Sequence, residues 1–179
     1  MPMLLLSLAL LLLSAPQTPQ AAPAVASTAP SSATAILSVE QVARLLPPSV
    51  FFHGQTAPLQ LRNAGAARFA DGAILFASLV DTSGYSSSVR ERYQFYLVTE
   101  APLEIGRKTL APGAYGAGFL EDGTFVVMDI GGRDLLLSRT ERDDSLRRPR
   151  PLQLIAGTDP HSLRLYLGRS FVSLVRATH

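Results

Sequence analysis

From residue 59 to its end, the chain repeats short apolar runs with a two-residue period, broken by glycine, asparagine and aspartate. Strands place successive side chains on opposite faces, so this spacing predicts half-buried strands rather than helices. A strand over 90–99 places Tyr93, Phe95 and Leu97 on one face and Arg92, Gln94 and Tyr96 on the other. The stretch 73–81 is apolar on both faces and reads as a central strand. Asp122-Gly123 lies between apolar runs at 113–120 and 124–130. This is the strongest hairpin signal in the chain, because the turn needs positive φ and glycine supplies it without strain.

Further strands are expected over 59–62, 67–69, 103–105, 134–139, 152–156, 163–167 and 171–176. Asn63-Ala64-Gly65, Asp71-Gly72, Gly106-Arg107-Lys108 and Gly168-Arg169 read as the turns between neighbours. One helical turn is expected over 141–146. Before the strands, Ser38-Val39-Glu40-Gln41 has the form of a capping box, and Val39, Val42, Leu45 and Leu46 make one apolar helix face that Pro47-Pro48 ends. There is no βαβ rhythm, no heptad pattern and no repeat. The expected fold is mainly β, an antiparallel β-sandwich or barrel, jelly-roll-like, with one short N-terminal helix.

The start of the chain is of another kind. Leu4 to Leu13 is an apolar run of ten, too short for the ~20 residues of a membrane-spanning helix, and it matches the core of a secretory signal peptide. Ala22-Pro23-Ala24 and Ala24-Val25-Ala26 both fit the small-x-small cleavage pattern, and the first charged side chain is Glu40. The expected division is a signal peptide over 1–26, a flexible Pro/Ala/Ser-rich tether over 27–37 and one β-rich domain over 38–179. An exported, periplasmic or extracellular protein follows from it. With no cysteine, that domain must be stable without disulfides, and thiolate metal sites, thiol nucleophiles and a lipoprotein anchor are excluded. A net charge of +2 is no nucleic-acid signature. No cofactor is expected, and no transmembrane anchor in the mature form.

The segment LEIGRKTLAPGAYGAGFLEDGTFVVMD, from Leu103 to Asp129, has Ile105 closing a strand, Pro112-Gly113 turning the chain and Tyr115 opening the next strand. It resembles a segment of an uncharacterised family of secreted bacterial β-domains of unknown function, in which I-G-x-K-T-L is followed by P-A-G-x-Y and a hairpin. This chain reads A-P-G where the family has P-A-G. The resemblance implies an exported β-domain and carries no catalytic residue. Lipocalins are set aside, because their G-x-W signature needs a tryptophan and there is none.

Chemistry-bearing residues are sparse. Gly84-Tyr85-Ser86-Ser87-Ser88 begins like the turn that exposes a nucleophilic serine, but its last position is serine instead of glycine. For a hydrolase, Ser86, His53 and Asp81 are the candidate trio. His53, His161 and His179 are too far apart in sequence for a short-spaced metal motif. Asp129 shares a strand face with Phe125 and Val127 and is a candidate for a structural ion pair with one of the arginines. Arg147-Arg148-Pro149-Arg150-Pro151 is a basic extended loop with Glu141, Asp143 and Asp144 nearby. Arg92 and Tyr96 on one strand, with Arg164 and Tyr166 on another, fall on outward faces. If those strands were neighbours, they would form a platform that stacks and pairs with an anionic or sugar-like ligand. Two functions remain: a non-enzymatic exported β-domain that binds an envelope or extracellular partner or a small ligand, and an envelope-directed hydrolase using a serine or carboxylate.

Overall fold

Ser38 Oγ accepts a hydrogen bond from the Gln41 N–H at 3.4 Å, and Gln41 Oε1 accepts one from the Ser38 N–H at 2.8 Å. This reciprocal cap starts α1 (Val39–Leu45), and the two prolines that follow deny it further turns. Seven residues are too few to stay helical alone, so packing of the buried Val42 and Leu46 holds the element. The computed structural model describes residues 34–177. The leader expected over 1–26, most of the tether expected over 27–37, and His179 lie outside the described residues. The end of that tether is not free: β1 (Ala35–Ile36) pairs antiparallel with Arg68 and Ala67.

After α1 come β2 (Ser49–Phe52), β3 (Gln55–Arg68), β4 (Ile74–Val80), the short helix α2 (Ser87–Arg90), β5 (Phe95–Thr99), β6 (Leu103–Ile105) and β7 (Lys108–Leu110). Then follow β8 (Gly113–Phe119), β9 (Thr124–Met128), β10 (Asp134–Arg139), β11 (Glu141–Arg142), β12 (Leu152–Ala156), β13 (Ser162–Leu167) and β14 (Ser170–Arg176). The fold is mainly β, with two antiparallel sheets in a sandwich-like arrangement. The first sheet runs β1-β3-β4-β5-β8-β9-β10, with β2 also on β3. The second runs β12-β13-β14-β6-β7, with β11 also on β14. Chain order leaves neighbour order mainly where the β6–β7 hairpin crosses to the second sheet.

The first sheet is buried on both faces. Leu75, Phe95, Leu97, Phe125 and Val127 point at Leu163, Leu165 and Leu174 of the second sheet and form the inner core. On the opposite face Ala66, Val80, Val126 and Met128 meet Val42 and Leu46 of α1, Val50 and Phe52 of β2, and two tyrosines, Tyr85 and Tyr93. Fully burying one large side chain is worth about 1.5–3 kcal/mol, so this outer layer is a second core rather than decoration.

Four local expectations need correction. Asn63-Ala64-Gly65 is no turn. It lies inside the 14-residue β3, at a register shift between Leu59 and Ala64. Gly65 is there because a Cβ would lie 3.1 Å from the Leu154 backbone nitrogen, where β12 closes the sandwich corner. The strand expected over 90–99 starts only at Phe95, because α2 and its C-terminal turn occupy its first half and put a second short helix in the fold. No helical turn forms over 141–146: β11 pairs with Ser170 and Phe171, and Asp143 then accepts from the N–H and hydroxyl of Ser145 to turn the chain. Finally, β2 stands in a stretch with no expected strand. Its turn uses His53 and Gly54 at φ +47° and +81°, so a histidine sits where glycine or asparagine is usual.

Candidate functional site

The turn after α2 brings Arg92 to the surface of the outer layer. Its exact position depends on Gln94, whose amide Nε2 donates to the Phe119 carbonyl at 3.0 Å while Oε1 accepts the Phe119 N–H at 2.9 Å. This side chain imitates a strand and lets the backbone swing outward. The swing reverses Tyr93: it leaves the face shared by Phe95 and Leu97 and enters the outer core. Gly118 admits the bend, since a Cβ there would lie 2.1 Å from the Arg92 carbonyl oxygen.

Arg92 forms the ridge between two open clefts. The larger, about 460 Å³, has Glu91, Gln94, Glu121 and Asp122 around a floor of Phe119 and Leu120. The smaller, about 200 Å³, has His53 and Ser88 around Phe52, Val89 and Met128. Gly132 closes its far side, against which the His53 ring lies so closely that a Cβ would meet Cδ2 at 2.5 Å. The His53 N–H donates to the Ile130 carbonyl at 2.9 Å, which ties the β2–β3 turn to the end of β9. Arg92 pairs with Asp134, both side chains being nearly two-fifths exposed. An ion pair this open contributes about 0–1 kcal/mol, so a ligand carboxylate can displace Asp134 at little cost.

The other expected platform residues are elsewhere. Arg92 is on no strand, and β5 and β13 belong to different sheets, so Tyr96 is not beside Arg164 and Tyr166. Tyr96 packs half-buried against the outer core, where desolvation raises its pKa. Tyr166 is buried, not outward and free. Its ring stacks on Phe171 at 5.0 Å and its hydroxyl donates to Asp143 Oδ2 at 3.0 Å. The Arg164 guanidinium lies 4.8 Å over the same Phe171 ring. This cluster fastens the 143–146 turn to the second sheet.

The hydrolase trio is not assembled. His53 shares a cleft with Ser88, whereas Ser86 Oγ bonds Ser88 Oγ at 3.2 Å. Asp81 Oδ1 accepts the Ser83 N–H at 3.0 Å, the main reason its pKa is lowered. No hydrogen bond joins His53, Ser86 or Asp81 to one another among the described residues. Tyr85, unnoticed in a hydroxyl-rich segment, is the buried residue there: its hydroxyl reaches the carbonyls of Phe52 and Gln55 at 2.9 and 3.2 Å. Its neighbours' polarity hid it.

Asp129 sits in the β9–β10 turn, just past the strand end. Oδ1 accepts from the N–H groups of Gly131 and Arg133, and Oδ2 from the Arg133 guanidinium at 2.7–2.8 Å. The Arg133 N–H, then its side chain, holds the carboxyl below its ordinary pKa. His161 lines a separate small cleft with Asp71 and Arg176. Among the described residues, no three His, Asp or Glu side chains group as metal ligands, and no helix is long and apolar enough to cross a membrane. No family model, curated protein or solved structure matches the chain.

Proposed function

We propose that the chain is an exported binding domain that takes a short peptide or similar zwitterionic ligand across the Arg92 ridge, without chemistry. One observation carries the reading: two clefts of opposite polarity meet at one guanidinium. The larger offers the carboxylates of Glu91, Glu121 and Asp122 to an amine. The smaller offers Arg92, the His53 ring and the Ser88 hydroxyl to a carboxylate, over apolar walls that suit small side chains. Arginine is suited to this task because its planar fork binds a carboxylate with two parallel bonds. The leader-like Leu4 to Leu13 run and the small-x-small sites behind it support export.

Calorimetric titration with tri-alanine, free at both ends, acetylated or amidated, tests the reading. Free peptide binds, each cap weakens binding, and Arg92→Ala weakens it by at least about tenfold, the loss of ~1.4 kcal/mol. Equal binding of capped and free peptide, or binding untouched by Arg92→Ala, refutes it. An envelope-directed hydrolase is the second reading, resting on His53 and Ser88 lining one cleft. It predicts cleavage of an activated ester that Ser88→Ala abolishes.

A further inference from the structure

β10 is an edge of the first sheet, with β9 as its sole ladder partner among the described residues. The Thr140 N–H donates to the Gly123 carbonyl at 2.9 Å, which sets the phase of that ladder. Ser138, opposite Phe125, and Leu136, opposite Val127, therefore turn their backbone groups toward β9, while Leu137 and Arg139 turn theirs outward. Among the described residues nothing bonds the Leu137 N–H or carbonyl on that side. The strand reads Asp-Leu-Leu-Leu-Ser-Arg, without the proline or lysine that usually blunts an edge, and its one bulge lies at its start, between Asp134 and Leu136, leaving Leu136 to Arg139 regular. Leu135 and Leu137 are 51% and 43% exposed. We propose that this edge is a homodimer interface, in which a second copy of the chain adds its own β10 antiparallel about a two-fold axis at Leu137.

The choice of occupant comes from the strand itself. It is acidic at its start, leucine-rich in the middle and basic at its end, so an antiparallel copy sets each charged end against its opposite. A parallel copy would set like against like. Antiparallel pairing also requires outward-turned residues to face outward-turned residues. Centring on Leu137 does this: Leu137 meets Leu137, and Arg139 of the second copy reaches the bulged start of the strand, where its stem covers Leu135 and its guanidinium joins the Asp134–Arg92 pair. Centring on Leu136 instead would put Arg133 directly opposite Arg139, a like-charge pair that costs stability. The register is thus self-complementary, as a two-fold interface demands. It joins two first sheets into one.

Sedimentation velocity from low micromolar to high concentration tests this, alongside Leu137→Pro and Leu137→Asp. Proline removes an N–H that the β9 ladder does not use, and it is tolerated on an edge. Aspartate places two like charges at the axis. The wild-type chain dimerises with rising concentration, both variants stay monomeric with unchanged far-ultraviolet dichroism, and added salt weakens the dimer. Amide exchange in the wild-type chain gives a readout without substitution: the Leu137 and Arg139 amides slow at least about tenfold as dimer forms. A wild-type chain that is monomeric throughout assigns the edge to a foreign segment or to none, and overturns the proposal. So does a dimer that survives Leu137→Pro, or exchange that is slow at every concentration, which marks cover by the chain's own residues.

Discussion

The rings of Phe52 and Tyr93 stack at 3.8 Å between centroids and 22° between planes, directly on the bare backbone of Gly116. A Cβ at residue 116 would lie 2.3 Å from Phe52 Cε2 and 2.9 Å from Tyr93 Cδ2. Gly116→Ala must therefore push apart a packed aromatic pair, and we expect a loss of about 1–3 kcal/mol in urea unfolding. Gly118→Ala meets a carbonyl instead of rings, so the loss there should be at least as large.

Tyr93 is fully buried and, among the described residues, its hydroxyl has no partner. Leaving such a group without one costs about 1–3 kcal/mol, so Tyr93→Phe should keep the stack and raise stability by ~1 kcal/mol. Desolvation is also the main cause that raises its pKa far above the usual tyrosine value, with Tyr85 and Tyr96 adding to it. Alkaline absorbance titration should show one tyrosine that ionises only as the chain unfolds.

Gln94 holds both backbone groups of Phe119. Gln94→Ala leaves them without those bonds, and we expect ~1–3 kcal/mol lost. The Phe119 amide should exchange faster. Binding at the Arg92 ridge should weaken together with stability, because the same side chain positions that turn.

Asp71 Oδ2 accepts from Arg176 Nε and Nη2 at 3.1 and 2.8 Å, joining the β3–β4 turn to the end of β14. The Arg176 side chain, then the Ala73 N–H, lowers the Asp71 pKa below 3.8. A depressed folded pKa means that the contribution is present above the unfolded value and is lost as pH falls through the folded one. Asp71→Asn should therefore flatten the stability profile below about pH 4 and leave its slope near neutrality unchanged.

His53 holds φ +47°, which glycine adopts freely and valine does not. His53→Gly should leave the melting temperature nearly unchanged, while His53→Val lowers stability by about 1–2 kcal/mol. Both should weaken peptide binding, because both remove the ring from the smaller cleft.

What could be read from the chain alone was local. The Asp122-Gly123 hairpin, the run of β12, β13 and β14, and the Ser38–Gln41 cap each need only neighbours within a few residues, and each is present. Alternation failed at Tyr93, because the phase there is reset by Gln94 bonding to Phe119, 25 positions away. Gly65 read as a turn for the same kind of reason: what it accommodates is Leu154, on another sheet. Arg92 reads as a binding residue, but its cleft neighbours come from two other turns, His53 between β2 and β3 and Glu121 and Asp122 between β8 and β9, which no pattern in the chain links.

The outer core has its own components: α1, the β2 turn and the Tyr85 segment lie against a sheet whose other side is already sealed by leucines of the second sheet. Such a shell can detach as a unit while the sandwich below stays closed. Partial denaturation should then release α1, β2 and the Tyr85 segment before the second sheet, and proteases would find their earliest foothold near Pro47 rather than in the β12–β14 meander.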